Sequence, residues 1–341
     1  MSEPLLLSGA PGSPYTRKMV ALLRYRRIPY RLLLSAQAVP GLPQARPPLL
    51  PTFYLPGPDG ALQAVTDSTP LMRRFEAAYA GRAAIPTDPA LALIDALLED
   101  FGDEWLTKAM FHYRWQYDAD IRKAGEVLAC WRGGPHDDAA LAATAQAVRE
   151  RQIPRLRYVG SNPRTGPVIE AGYRRVLLAL EDHFRTHRFL MGGRPGASDF
   201  ALYGQLTQLV HFDPTPMALA AEIAPRVVAW VLMMEDLSGL EPAEADWLDV
   251  TRLPASLHAL LRETGRLYVP LLQANALSLQ AGQTEFQATI DGQPWVQQAF
   301  PYQGKCLAWL RRDHAALSPV DRARADAALA GSGCEALFSS P

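Results

Sequence analysis

The chain opens with a short unbroken apolar run, residues 4–9, of the length of a buried strand. From Pro14 to Arg27 the period changes. Met19, Leu22 and Leu23 fall on one face, and Arg17, Lys18, Arg24 and Arg27 cover much of the rest, which predicts an amphipathic helix. Ser13 is placed to cap it, with Pro14 at the first helical position, and Arg24, Arg26 and Arg27 suit the negative pole at its end. Tyr30 to Ser35 reads as a second strand, and the proline-rich stretch QAVPGLPQARPPLL that follows is too broken for a helix. PTFYLPGPDGALQAV is two strand-like runs joined by Gly-Pro-Asp-Gly, a hairpin. TDSTPLMRRFEAAYA then offers a helix capped by Thr69, with Leu71, Met72, Phe75 and Tyr79 as its apolar stripe. Strand, helix, strand, loop, hairpin, helix makes a small mixed sheet with helical cover.

After residue 82 the alternating pattern disappears. Asp88-Pro89 starts a long helical stretch, DPALALIDALLEDFGDEWLTKAMFHYRW, and to about residue 250 nearly every periodic segment is helical, as in VIEAGYRRVLLALEDHFRTHRFL and APRVVAWVLMMEDL. The last ninety or so residues change again. A helical piece near 254–279 precedes TEFQATIDGQPWVQQAF, whose alternation around Asp-Gly predicts a second hairpin. Two more helices follow, the second opened by Ser318-Pro319. The expected organisation is therefore α+β in residues 1–82, all-α in 88–250, and an extension of helices and a β-hairpin in 251–341.

Composition narrows the function classes. Lys plus Arg and Asp plus Glu nearly cancel, 34 against 35, with no extended basic run, which speaks against a general nucleic-acid binder. The longest apolar stretch, VVAWVLMM, is far too short to span a bilayer. The N-terminus lacks the basic start and apolar core of a secretory signal, and the three cysteines, Cys130, Cys306 and Cys334, are odd in number and widely spaced, so a reduced cytoplasmic setting is expected. Cys130 and Cys306 read as packing residues and Cys334 as exposed. His183 and His187 have i,i+4 spacing, but HFRTH lacks the zincin glutamate and a third ligand, so a solvated face is expected and no metal. Walker, Gly-x-Gly-x-x-Gly and Gly-x-Ser-x-Gly signatures are absent.

Four segments in order, SPYTRKM, LLPTFYL, TDSTPLMRRFEAAY and FLMGGRPGASDFALYGQL, resemble the cytosolic glutathione S-transferases over roughly residues 4–240. They are similar to that family's Ser-Pro-Phe-type first-helix start, the cis-proline before its third strand, the acidic-Ser pair opening its next helix, and the Gly-x-x-x-[Ser/Thr]-x-x-Asp motif of its helical domain. The resemblance implies a thioredoxin-like domain followed by an α-helical domain. Two departures stand out. Gly196 occupies the motif's hydroxyl position, which leaves Asp199 without its reciprocal cap. The chain also runs well past the resemblance, into the extension.

The resemblance further implies that glutathione is the co-substrate and that Ser13 donates a hydrogen bond to its sulfur. With Ser13-Pro14-Tyr15-Thr16 at the turn where redox relatives carry Cys-x-x-Cys, thiol–disulfide exchange by the protein itself is excluded. A thiol with pKa near 8.5 is only about 3% ionised at pH 7. Lowering it by about two units, roughly 2.7 kcal/mol, gives about three-quarters thiolate, and one charge-assisted hydrogen bond plus a helix N-terminus supply most of that. By the same resemblance Asp67 meets the γ-glutamyl amine and Ser68 its carboxylate. Leu50, before a cis Pro51, offers its N–H and C=O to the cysteinyl unit. Gln37 and Arg46 are the candidates for the glycine carboxylate, and Tyr15 either packs beneath the site or rivals Ser13 as thiol donor. A small electrophile is expected between the domains near Trp105, Phe111, Tyr113 and Trp115, at least half of which are expected to be structural. Arg114 meets either an acidic substrate or a neighbouring carboxylate. Beyond a transferase, the resemblance admits a glutathione-dependent lyase or etherase and a non-enzymatic relative. It favours a homodimer, subject to obstruction by the extension. The second hairpin, with Trp295 and Phe300, either folds over the interdomain cleft or buttresses the helical domain.

Overall fold

The structure is a computed structural model that describes residues 3–34, 39–131 and 137–339. β1 (Leu5–Ser8) leads into α1 (Pro14–Tyr25), β2 (Tyr30–Leu33), the hairpin β3 (Thr52–Pro56) and β4 (Leu62–Val65), and α2 (Ser68–Ala78). The sheet order is β2-β1-β3-β4. β1 runs parallel to β2, antiparallel to β3 with Ser8 opposite Thr52, and β3 runs antiparallel to β4 with Phe53 opposite Val65. That register places three segments at one end of the sheet: the turn after β1, the entry to β3 and the exit from β4. This is the thioredoxin-like arrangement. Ser13 caps α1 as its position predicts, accepting the Thr16 N–H at 3.2 Å. α2 starts two residues earlier than a Thr69 cap implies, at Ser68, and the Thr69 hydroxyl is engaged by Glu99 Oε1, 3.0 Å off.

The helical domain comprises α3 (Pro89–Glu104), α4 (Leu106–Gln116), α5 (Asp118–Cys130), α6 (Asp138–Gln152), α7 (Gly166–His183), α8 (Ala197–Leu209), α9 (Pro214–Ile223) and α10 (Pro225–Met234). Asp88 caps α3 through the Ala90 and Leu91 amides. The stretch that reads as one helix from 88 to 115 breaks at Trp105, the fully buried residue that ends α3 and begins α4. Every residue of α8 is buried, and the helix packs between α1 and α3. No single helix among the described residues is long and apolar enough to cross a membrane.

α8 also resolves the anomaly at Gly196. Asp199 accepts the Gly196 N–H at 2.9 Å, the half of the cap that the motif retains. The missing hydroxyl is replaced from another helix. Asp95 of α3 accepts the Ala197 N–H at 2.9 Å, the Ser198 N–H at 3.0 Å and the Ser198 hydroxyl at 2.6 Å. A Cβ on Gly196 would lie 2.4 Å from Asp95 Oδ1. Glycine here is thus the space the borrowed cap requires, since its backbone (φ −93°, ψ 176°) suits any residue.

The extension adds α11 (Ala255–Gln280), the hairpin β5 (Glu285–Ile290) and β6 (Gln293–Gln298), α12 (Pro301–Ala316) and α13 (Pro319–Leu329). Asp291 and Gly292 form the hairpin turn with φ of 50° and 73°. The hairpin lies on α11, and buried Trp295 meets Trp105 at 5.8 Å between ring centroids, so it buttresses the helical domain and leaves Phe300 half exposed. α12 and α13 pack on α3, and one apolar core runs from Leu7 to Leu337.

Several local expectations are corrected. His183 is buried rather than solvated, with Nδ1 2.9 Å from Ser256 Oγ and Nε2 3.0 Å from Phe189 O, and no metal-binding cluster forms among the described residues. Cys130 is exposed, because it ends α5 on the solvent side. Cys334 is fully buried against Leu261 O.

Candidate active site

Ser13 stands where the sheet end meets the helical domain. Its hydroxyl accepts from Thr16 and points its own proton at Leu50 O, 3.4 Å away, a long and weak contact. The Leu50–Pro51 peptide is cis, as is Arg46–Pro47. The other wall comes from the helical domain, and two interactions seat it. Arg114 of α4 is buried and grips Asp213 through Nε at 2.9 Å and Nη2 at 2.9 Å, while Nη1 reaches Gly12 O at 3.3 Å. Arg114 therefore meets a neighbouring carboxylate and tethers the turn that carries Ser13. Gly12 lies under Leu128 and Trp131, whose side-chain atoms would stand 2.6 and 2.7 Å from a Cβ there, so a side chain at that residue would push both of them away from the turn.

The second tie is Lys18, fully buried, with Nζ 2.7 Å from Glu99 Oε1 and 2.6 Å from Asp103 Oδ2. Burial works against its charge, but the two carboxylates prevail and raise its pKa. Beside it the Tyr15 hydroxyl donates to Asp103 O at 3.0 Å, and burial, with the Glu104 and Asp103 charges, pushes the phenol well above its usual range. Tyr15 is thus committed to α3 and lies outside the cavity that Ser13 faces.

That cavity has a volume of about 940 Å³. On one side it is lined by Gly12, Ser13, Leu49, Leu50 and the 41–45 loop, and on the other by Met110, Phe111, Arg114 and Trp115 of α4, Trp131, and Arg151 and Gln152 of α6. Phe111 and Trp115, one helical turn apart, face it. Trp105 and Tyr113 do not. Trp105 is sealed against Trp295, and Tyr113 stacks among Tyr117 and Tyr173 on the opposite face of α4. Arg46 is exposed and outside the lining, and Gln37 lies outside the described residues. Sequence reasoning missed Trp131, Gln44 and Arg151. Only Trp131 carried a signal, as an aromatic one turn beyond the apolar Val127-Leu128 pair.

Asp67 and Ser68 follow β4 at the same sheet end. Asp67 is partly buried with φ 83°, makes no capping bond to α2, and accepts the Tyr302 hydroxyl on Oδ1 at 2.8 Å. Burial raises its pKa, while the Tyr302 bond and the Lys18 charge pull the other way. Ser68 is buried.

Residues 7–83 match the glutathione S-transferase N-terminal domain family, and residues 138–231 match the glutathione S-transferase C-terminal domain family. The chain belongs to the glutathione S-transferases. No curated protein matches it. Among solved structures, this chain is similar to a glutathione S-transferase from Methylobacterium radiotolerans in complex with glutathione sulfonate, at 20% identity over 72% of this chain and 94% of that one, with a TM-score of 0.43. It is also similar to a Pseudomonas putida glutathione transferase with glutathione disulfide bound (15% identity, 68% and 86% covered, TM-score 0.41) and to one from Rhodospirillum rubrum (14%, 74% and 97%, 0.44).

Proposed function

We propose that this protein is a glutathione transferase that stabilises glutathione as a thiolate at Ser13 and directs it at a small, hydrophobic electrophile held in the cavity. The observation that carries the reading is the position of the Ser13 hydroxyl, at the N-terminus of α1 and opening onto a large cavity with an aromatic wall. The hydroxyl's only acceptor among the described residues is Leu50 O at 3.4 Å, so its proton turns to an incoming sulfur with little loss. The helix end favours the negative charge left when the thiol proton passes to solvent water, and no protein base is needed. The thiolate then adds to the electrophile or displaces its leaving group, and the product thioether leaves as a neutral sulfur.

In this reading Leu50 pairs with the cysteinyl unit across the cis peptide, and Asp67 and Ser68 take the γ-glutamyl amine and carboxylate. Gln44 and Arg151 at the cavity rim join Arg46 and Gln37 as candidates for the glycine carboxylate. Phe111, Trp115 and Trp131 form the electrophile wall. The neighbouring structures that hold glutathione sulfonate or glutathione disulfide are consistent with glutathione as the co-substrate. The test is retention on immobilised glutathione together with conjugation of a generic aromatic electrophile. Retention by the wild type, with turnover lost in Ser13→Ala, supports the enzyme. Neither retention nor turnover supports a non-enzymatic relative.

A further inference from the structure

The extension delivers one polar group to the first domain, and its surroundings hold that group in place. Asn275 of α11, fully buried, brackets the start of α12: its Nδ2 donates to Phe300 O at 3.0 Å and its Oδ1 accepts the Phe300 N–H at 2.8 Å. Gln303 is buried and donates to Glu104 Oε2 at 3.2 Å. Between these two anchors stands Tyr302, its ring edge-on to Trp309 at 6.1 Å and its hydroxyl on Asp67 Oδ1 at 2.8 Å. A phenol held on three sides is a fixed donor, and fixing it leaves little side-chain entropy to lose on binding.

The acceptor is unusual too. Asp67 sits at positive φ before α2 and makes no capping hydrogen bond of ordinary geometry, so its carboxylate is only weakly engaged by the α2 amides. With the phenol on Oδ1, this is the one hydrogen bond of ordinary geometry that the carboxylate accepts among the described residues, although the Thr69 amide lies close enough to lower its pKa. We propose that Tyr302 is a positioning residue: it fixes the Asp67 carboxylate with one oxygen open for an ammonium group, and so makes the C-terminal extension part of the device that selects thiols bearing a free α-amine. This rests on the assignment of Asp67 to the γ-glutamyl amine made above. Tyr302 touches no reacting atom, so its effect falls on thiol affinity and not on the chemical step.

The experiment compares full-length wild type, Tyr302→Phe and Asp67→Asn with two thiols, glutathione and glutaryl-cysteinylglycine, which is the same tripeptide without its α-amine. Steady-state conjugation of an aromatic electrophile gives KM and kcat, and calorimetry gives binding of both thiols without turnover. Phenylalanine keeps the ring against Trp309. The expected result for Tyr302→Phe is a rise of about tenfold in the glutathione KM, the size of one hydrogen bond to a charged group. kcat and the constants for the des-amino thiol stay unchanged, which narrows the preference between the two thiols. Equal weakening of both thiols means that Tyr302 only packs, and overturns the proposal. So does no change for either thiol, provided Asp67→Asn narrows the preference. If Asp67→Asn also leaves it untouched, the amine assignment falls and the proposal falls with it.

Discussion

The borrowed cap on α8 makes a sharp test of how this fold departs from the pattern of its family. Asp95→Ala strands two buried main-chain N–H groups and the Ser198 hydroxyl. At about 1–3 kcal/mol for each unsatisfied buried group, the loss is about 3–9 kcal/mol, a large part of the roughly 5–15 kcal/mol that holds a domain folded. Gly196→Ser alone drives a Cβ against Asp95 Oδ1 at 2.4 Å and Met191 Cγ at 2.8 Å, an overpacking cost of about 1–3 kcal/mol. In the double variant the clash with Asp95 is gone, because the carboxylate has left, and only the Met191 contact remains. The new hydroxyl sits where an N-cap belongs and caps the Asp199 amide for about 1 kcal/mol. The two substitutions should therefore couple favourably by about 1–3 kcal/mol, within what neighbouring residues show. Guanidinium denaturation of the four proteins measures this, and Asp95→Asn supplies a graded version if the alanine variant folds poorly. Additivity within about 0.5 kcal/mol would refute the claim that Asp95 stands in for the missing hydroxyl.

Two further outcomes follow from the same geometry. Burial, then the Asp100 and Asp103 charges, push the Glu104 carboxyl up to about 8, and burial pushes Asp100 up to about 7. The folded chain then binds protons that the unfolded chain has released, so stability contributed by these groups is present at low pH and is lost as pH rises toward their folded values. His183, lowered to about 4 by burial, acts in the opposite sense only below its unfolded value near 6.5, and Lys108, lowered to about 8 by burial, does so only above about 8. Between pH 6.5 and 8 denaturation midpoints should fall with rising pH, Glu104 contributing up to about 1.4 kcal/mol per pH unit. Glu104→Gln, which keeps an acceptor for Gln303, should reduce that slope by its share, since Asp199 and Asp95, raised by burial to about 8 and about 7, act in the same sense, and an unchanged slope would count against it. In the cavity, Phe111→Ala should raise KM for an aromatic electrophile about tenfold with glutathione KM unchanged. Trp105→Ala should instead lower stability by about 3–5 kcal/mol, as a core truncation. Steady-state kinetics and melting curves separate the two, and a Phe111 variant that only melts earlier would remove it from the site.

What the sequence made readable was local. A Ser or Asp followed by Pro marked the starts of α1, α3 and α13, and Asp291-Gly292 marked the hairpin turn, because each signal and its partner lie within a few residues. The reading failed where a distant group competed for a local one. Thr69 lies inside α2 with its hydroxyl on Glu99 instead of capping the helix, and Gly196 is uncapped in sequence yet capped in space by Asp95. In the site, Ser13 and the cis Leu50–Pro51 bond were legible as a motif. Sorting Phe111 and Trp115 from Tyr113 needed to know which face of α4 the first domain occupies, although the i,i+4 spacing of the pair was available. Tyr302 on Asp67 spans most of the chain and carried no sequence signal at all.

The central claim is that the corner between Leu50 and the start of α1 welcomes a negatively charged sulfur through the Ser13 hydroxyl. Ultraviolet titration of glutathione bound to the wild type, to Ser13→Ala and to Tyr15→Phe tests this directly. The bound thiol should titrate about two units below the free value near 8.5, return toward the free value in Ser13→Ala, and stay unchanged in Tyr15→Phe. A bound thiol that titrates as it does in free solution, or one whose depression survives in Ser13→Ala and vanishes in Tyr15→Phe, would contradict that claim.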